Sequence, residues 1–339
     1  MQKRDGVILY SASDLVNYLE CEHLTSLDVV DLETPLPRTE DSDEAKLIQA
    51  KGYAHEADFL ELLKGQHPRV IDIAMMQSSN AQKVAATIQA MRDGYDIVFQ
   101  ATLQDGCFIG HADFLRKVNL PSELGAWSYE VLDTKLSRTP KAKFIIQLAF
   151  YSAMVAKVQG VAPQLMHVVL GDKSEATYRF ADYARYLKMI TRRFLERVQR
   201  NAVETYPNPC EKCNQCRWSG LCEERRLKDD HLSQVANITR LQVNKLELAG
   251  VKTLEALANL PVESRIPKMN PETLSKLHQQ AQLQLLARET GQRHVELLPD
   301  AADALRGFAR LPQPAEGDLF FDMEGDPLEE GGLESMLST

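Results

Sequence analysis

Apolar positions change period several times along the chain, and each change predicts an element. Val7 to Tyr10 reads as a short strand, and Ser11 follows as the N-cap of a helix running through Leu19 to Cys21, with Leu15, Tyr18 and Leu19 on one face. Asp43 to Lys64 has helical spacing. Gly52 inside it costs about 1 kcal/mol relative to alanine, which predicts a close backbone approach there. Val70 to Met75 is a short strand, and Ser79 to Arg92 an amphipathic helix stopped by Gly94. Tyr95 to Leu103 and Cys107 to Val118 form two strands around the turn Gln104-Asp105-Gly106. Alternation puts Cys107, Ile109, His111, Asp113 and Leu115 on one face of the second. A third strand carries Tyr129, Val131, Asp133 and Lys135 on one side. Thr139-Pro140 then reads as N-cap and first position of a helix to residue 158, with Phe144, Leu148, Tyr151 and Val155 at helical spacing. Gln164 to Leu170 is a further strand, Tyr178 to Phe180 pairs back on it, and Asp182 to about Asn201 is a long helix. The class is α/β, in the order helix, three meandering strands, helix, strand.

Beyond this block, Asp229 to Arg288 is helical in pattern, and residues 289–315, with Pro299, Pro312 and Pro314, read as a linker. The 339 residues suffice for two domains, or one large domain with an appendage. A hydrophobic content of 44% and a charged content of 26% are ordinary for a soluble globular protein. No apolar run approaches the roughly 20 residues of a membrane helix, and the N-terminus lacks the apolar core of a signal peptide. Six cysteines, four of them crowded together, point to a metal or cluster rather than disulfides, and so to a reducing, cytoplasmic setting. The net charge of −9 is uneven: eight acidic residues and no lysine or arginine lie from Glu316 onward, and without them the first 315 residues stand at −1. Composition therefore neither favours nor excludes a nucleic-acid partner. No phosphate-binding loop is present, so no ATP-driven motor is encoded.

Candidate chemistry is concentrated in two places. Asp133 and Lys135 put a carboxylate and an ammonium side by side at i, i+2, and Gln147 and Tyr151 lie one helical turn apart just downstream. The bland alternative is a solvated strand edge. Asp113 lies among apolar strand residues, where a carboxylate costs free energy unless paired or metal-bound. His55 alone on a helix reads equally as a surface residue. Arg185, Lys188, Arg192, Arg193, Arg197 and Arg200 on the long helix offer a basic face for phosphates, or merely a solvated one. The second place is Cys210, Cys213, Cys216 and Cys222, spaced x2, x2 and x5. Structural Zn²⁺ on these four thiols is one reading. A compact run with one more distant cysteine suits an iron–sulfur cluster better.

The Asp-x-Lys strand followed by Gln-x-x-x-Tyr, with Gly52-x-x-His55 and Gly110-x-x-Asp113 upstream, resembles the motifs of RecB-like nucleases of the PD-(D/E)XK superfamily. The resemblance covers roughly residues 8–225. It implies a restriction-endonuclease-like αβββαβ core with added helices. His55, Asp113 and Asp133, with the Thr134 carbonyl, would hold Mg²⁺ or Mn²⁺. Lys135 would be the catalytic lysine, Gln147 and Tyr151 would orient it or the DNA strand, and His111 is left as a possible supporting group. Iron–sulfur members of the group take one cysteine upstream of the core and C-x2-C-x5-C after it. That implies a 4Fe-4S cluster on Cys21, Cys213, Cys216 and Cys222, with Cys210 spare; Zn²⁺ would replace Cys21 by Cys210. Leu246 to Leu254 resembles a helix-hairpin-helix turn. The tail D-L-F-F-D-M-E-G-D-P resembles the first motif of RNase H-like exonucleases, with Asp322 and Glu324 as ligands on an isolated strand; the chain is expected to be a truncated copy of a longer protein. The implied organisation is a nuclease domain at 1–225, a helical region at 226–290, a linker at 291–315 and the start of an RNase H-like domain at 316–339. The implied activity is hydrolysis of DNA phosphodiester bonds, with single-stranded or free-ended DNA as partner and a helicase domain or subunit alongside. An inactive DNA-binding scaffold and a zinc-stapled structural protein are the rival expectations.

Overall fold

The computed structural model describes residues 1–4, 6–199, 205–297 and 310–319, and the backbone alone of 321–326 and 333–338. The chain divides into two units, Met1–Arg225 and Arg226–Thr339.

In the first unit, β1 (Gln2–Arg4) and β2 (Val7–Leu9) form a small antiparallel pair. Ser11 caps α1 (Ala12–Glu20) in a reciprocal box with Asp14, which satisfies two backbone donors at once. The sequence reading missed α2 (Glu22–Asp31): Cys21 closes α1, and its Sγ accepts the Leu24 amide at 3.4 Å as the N-cap of α2. α3 (Asp43–Gln66) and β3 (Val70–Asp72) follow, then α4 (Asn80–Arg92), capped by Ser79 and Gln82. β4 (Ile97–Asp105), β5 (Phe108–Val118) and β6 (Ser128–Thr134) make the meander, and α5 (Ala142–Gln159) leads to β7 (Leu165–Val169), β8 (Glu175–Arg179) and α6 (Phe180–Gln199). The six strands form one mixed sheet in the order β3-β4-β5-β6-β7-β8. β3–β4 and β6–β7 are parallel and the other pairs antiparallel.

Apolar residues of α5 (Leu148, Val155) and α6 (Ile190, Phe194) share one core cluster with Leu115 and Val131 of the sheet. Leu60 and Leu63 of α3 cluster instead with Phe114, Leu132 and Val169. The sheet is thus covered on both faces, and each such aliphatic side chain contributes on the order of 1.5–3 kcal/mol by leaving water.

Several local expectations are corrected. α5 begins at Ala142, with Lys141 as an N-cap that makes no side-chain bond. Thr139 is held in a turn instead, its carbonyl accepting the Ser137 hydroxyl at 2.8 Å. A Cβ on Gly52 would meet only Leu136 Cδ1, at 3.9 Å, so no close backbone approach requires that glycine. Nor do alternate residues of β5 keep one face. Ala112 and Leu115, an odd number apart, lie in the same core cluster, as do Val98 and Ala101 of β4. Alternation breaks where Gln100 takes a left-handed φ of 50°, level with Asp113. Arg197 is buried and pairs with Glu22, so it leaves the expected phosphate face. Arg185, Lys188, Arg192 and Arg193 are exposed, and Arg200 lies outside the described residues.

A charge network, buried at His167 and Glu130 and open to solvent at Glu175, crosses four strands. His167 Nε2 meets Glu130 Oε2 at 3.0 Å, its Nδ1 meets Glu175 Oε1 at 2.7 Å, and Arg116 closes on Glu175 at 2.9 Å. Burial would lower the His167 pKa, but the bonds to Glu130 and Glu175 outweigh it and raise the value above 6.5. Hydrogen bonds from His167 and then Arg116 hold Glu175 near 2 rather than 4.5. The signs set the window. The His167 contribution is full below 6.5 and is lost as pH rises through its raised value, and that of Glu175 is full above 4.5 and is lost as pH falls toward 2. The urea midpoint is therefore expected to fall from pH 5.5 to pH 9 in the wild type. His167→Gln should flatten this arm, and an equal fall in both proteins would remove His167 as the cause.

α7 (Ser219–Lys228) carries Cys222. In the second unit α8 (Arg240–Leu248), α9 (Leu254–Ala258) and α10 (Pro271–Thr290) enclose a separate core around Leu246, Leu254, Leu257 and Ala281. Gly250, at φ 89°, makes the turn between α8 and α9. Residues 291–297 and 311–319 carry no helix or strand. The tail strand is not isolated, as had been expected: β9 (Phe321–Asp326) pairs antiparallel with β10 (Leu333–Ser338). The side chains of Asp322 and Glu324 lie outside the described residues. Among the described residues, no helix is long and apolar enough to cross a membrane.

Candidate active site

The β5–β6 register brings two of the predicted acids together. Phe114 pairs with Leu132, so the next pair out is Asp113 and Asp133. The Thr134 amide donates to Asp113 Oδ2 at 3.0 Å, and the Thr134 hydroxyl to the same oxygen at 3.3 Å. Asp133 is fully buried. Lys135 Nζ forms an ion pair with Asp133 Oδ2. The Lys135 amide donates to Val169 O at 2.8 Å, which fixes the backbone on which the ammonium is mounted.

Electrostatics follow from this crowding. Burial, then the Asp133 charge, pushes the Asp113 carboxyl well above the usual carboxylate range. Burial would lower the Lys135 pKa, but Asp133 and Asp113 outweigh it and raise the value, so the lysine stays an ammonium. Burial, then Asp133, raises the Tyr151 phenol, which stays neutral. Gln147 Nε2 donates to Tyr151 Oη at 3.4 Å, one turn along α5 as expected. A Cβ on Gly110 would fall 2.6 Å from Tyr151 Cε1, so the G-x-x-D glycine is what lets α5 approach β5 beside Asp113.

His55 lines a cavity of about 320 Å³ with Asp58, Phe59, Leu62 and Lys173, and its Nε2 is buried without a hydrogen-bond partner. His111 is exposed and meets Thr102 Oγ1 at 3.2 Å across the ladder, so it is a partner of β4 rather than a support for Asp113. The residue that spacing motifs missed is Glu56. Gln100 Nε2 donates to Glu56 Oε1. Burial raises the Glu56 carboxyl, the Gln100 bond lowers it, and Asp133 raises it again, with a net upward shift. The left-handed Gln100 that makes this bond costs on the order of 1–3 kcal/mol of backbone strain. A signal was present: Glu56, Leu60 and Leu63 stand at i, i+4 and i+7, which puts Glu56 on the buried stripe of α3.

Among the described residues no group of three or more His, Cys, Asp or Glu side chains is placed to hold a metal ion. The donor chemistry nonetheless fits a hard divalent cation. His55 Nε2 and Asp133 Oδ1 are buried without a hydrogen-bond partner, while Asp133 Oδ2 is ion-paired with Lys135, and a buried polar atom left unpaired is costly unless something binds it.

The thiols gather at a second place in the same unit. Cys210 and Cys213 approach to 3.9 Å between their sulfurs. Burial, then Cys213 and Cys21, pushes the Cys210 thiol up to about 11, and burial raises Cys216, with Cys21 and Cys213 as charged neighbours. Cys21, Cys216 and Cys222 pack around Trp218 and Leu24. The fold therefore brings Cys21 to the C-terminal block, and brings Cys210 there as well. All six cysteines are thiols, and Cys107 packs on the main core.

No family model matches the chain. No curated protein matches it. Among solved structures, SSO0001 is similar over 66% of this chain and 88% of its own, at 13% identity and a TM-score of 0.30, too slight a likeness to carry an argument.

Proposed function

We propose that this chain is a metal-dependent DNA nuclease with a PD-(D/E)XK core. The observation that carries the reading is the Asp113–Asp133–Lys135 cluster, in which a fully buried Asp133 is ion-paired with Lys135 beside Asp113. Asp113 and Asp133, with His55, would hold Mg²⁺ or Mn²⁺, and Glu56 is near enough to act on the same charge. When bound, such an ion lowers the pKa of a water and offsets the charge of the phosphate under attack. Lys135 remains protonated and supplies an ammonium to the charge that develops on the phosphate oxygens. Tyr151 and Gln147 form a neutral pair beside it that orients the lysine or the strand. Water adds to phosphorus, the bond to the sugar oxygen breaks, and the products are a phosphate end and a hydroxyl end.

The gathered thiols support a 4Fe-4S cluster that ties the α1–α2 junction to the block after α6. Zn²⁺ is the second reading, and the 3.9 Å Cys210–Cys213 contact favours it. DNA with a free end is the proposed substrate, and a helicase domain or subunit the proposed partner.

The test uses anaerobically purified protein and labelled single-stranded and duplex DNA with Mn²⁺. The wild type is expected to cleave and Lys135→Ala to be inactive. Full activity in Lys135→Ala would end the assignment. Iron, sulfide and broad visible absorbance decide for the cluster, and colourless protein with stoichiometric zinc decides against it.

A further inference from the structure

The cavity of about 320 Å³ beside His55 holds two charged side chains that the proposed hydrolysis does not use, Asp58 and Lys173. Neither the Lys173 ammonium nor the Asp58 carboxylate has a hydrogen bond or ion pair among the described residues. Opposite charges that line one cavity without closing on each other leave a donor and an acceptor for a ligand. Phe59 and Leu62 supply the apolar wall, and Leu62 is half exposed. His55, Phe59 and Leu62 stand at i, i+4 and i+7, a stripe of α3 beside the one that buries Leu60 and Leu63.

The far side of the cavity is the hairpin between β7 and β8. Lys173 takes a left-handed φ of 66° there, and its amide donates to Leu170 O at 2.8 Å. Glycine or asparagine suits that conformation better, so the turn itself does not call for a lysine. The hairpin is fixed against the candidate site. The Gly171 amide donates to Ser137 O at 3.1 Å, and a Cβ on Gly171 would fall 2.2 Å from Leu136 O. Only glycine lets the hairpin pack on the chain that follows Lys135. On α3, Phe59 stands edge-on to Phe114, the neighbour of Asp113, with ring centres 5.4 Å apart.

We propose that this cavity is a subsite for one unpaired nucleotide of the DNA strand. Lys173 binds a phosphate, Phe59 and Leu62 pack on the base, and Asp58 accepts from an amino group of that base. The volume lies at the low end of small-ligand sites, about 300–1,000 Å³, which suits one nucleotide and excludes a base pair. The proposal rests on the nuclease reading, because it takes DNA as the ligand. It adds that the bound strand is single where it passes α3.

The experiment is fluorescence anisotropy of a labelled deoxycytidine oligonucleotide and a labelled blunt duplex, titrated with the full chain over a range of salt. Ca²⁺ replaces Mn²⁺ so that the strands stay uncut. Wild type, Lys173→Asn and Leu62→Trp are compared, and each is melted. Lys173→Asn suits the left-handed turn, so it should melt at or above the wild-type temperature. It is expected to bind the single strand about fivefold more weakly, with a salt slope smaller by about 0.7, the share of one phosphate. Leu62→Trp fills the cavity from a half-exposed position and should weaken single-strand binding about tenfold. Neither variant should change binding of the duplex. If both bound the single strand like the wild type while cleavage still required Lys135, this inference would be overturned and the nuclease reading left standing. Equal losses on single strand and duplex would make Lys173 a general phosphate contact and overturn the subsite too. A wild type that neither bound nor cut DNA would overturn both. Should Leu62→Trp fail to fold, Lys173→Asn decides by itself.

Discussion

Asp133→Asn is expected to lower the rate of DNA cleavage by about 10³-fold or more, without lowering the melting temperature in EDTA. Asparagine has the shape of aspartate, so the packing at this fully buried position is kept. What changes is charge. The wild-type carboxylate stands beside Asp113, whose own carboxyl it pushes upward, and beside Glu56. Removing it relieves that crowding and leaves Lys135 to Asp113, which also acts on the lysine. A structural acid would behave in the opposite way, because breaking a buried ion pair costs about 3–5 kcal/mol. Initial rates on labelled DNA at saturating Mn²⁺, with melting in EDTA on the same preparation, make the comparison. Loss of activity that merely tracked unfolding would count against Asp133 as a reacting-site group, and an active Asp133→Asn would count against the nuclease reading itself.

Trp218→Ala is expected to destabilise the first unit by about 3–5 kcal/mol. Trp218 is fully buried, and its indole N–H donates to Asp28 Oδ1 at 2.6 Å. Arg217 donates to the same oxygen at 2.6 Å, and the Arg38 and Arg217 guanidinium groups stand 5.7 and 5.1 Å from the ring centre. Asp28 is itself buried with Oδ2 already unpartnered, so losing the indole donor leaves it poorer still. The indole thus joins α2 to the chain beside Cys216 and Cys222, and without it the thiols lose the surface they pack on. Urea denaturation followed by circular dichroism gives the number. Trp218→Phe should lose less, because a six-membered ring still packs there and only the N–H and part of the ring volume are gone. A change under about 1 kcal/mol in Trp218→Ala would show that the staple lies elsewhere.

Local spacing carried much of the architecture. Apolar runs and turn residues located β4, β5 and β6, and serine caps located α1 and α4, because those signals act within a few residues. The same locality explains the failures. A helical glycine suggested contact at Gly52, but contact depends on what packs opposite, and only a leucine methyl lies there, at 3.9 Å. Thr139-Pro140 looked like a helix start, but Thr139 was taken up by Ser137. The His167 network joins residues up to 59 positions apart and has no local pattern at all.

The amino-acid sequence by itself determined which side chains are available and on which element each sits: Asp113 on one strand, Asp133 and Lys135 at the end of the next, Gln147 and Tyr151 a turn apart on a helix, and a run of thiols far downstream. These follow from backbone period and covalent neighbours. Only the tertiary structure decided who meets whom. Strand register set Asp113 level with Asp133, chain reversal over nearly two hundred residues carried Cys21 to the distant thiols, and the rotation of α3 on the sheet turned Glu56 to Gln100. Such meetings depend on the relative placement of whole elements, which is fixed by the burial of side chains remote in sequence and written in no short stretch of it.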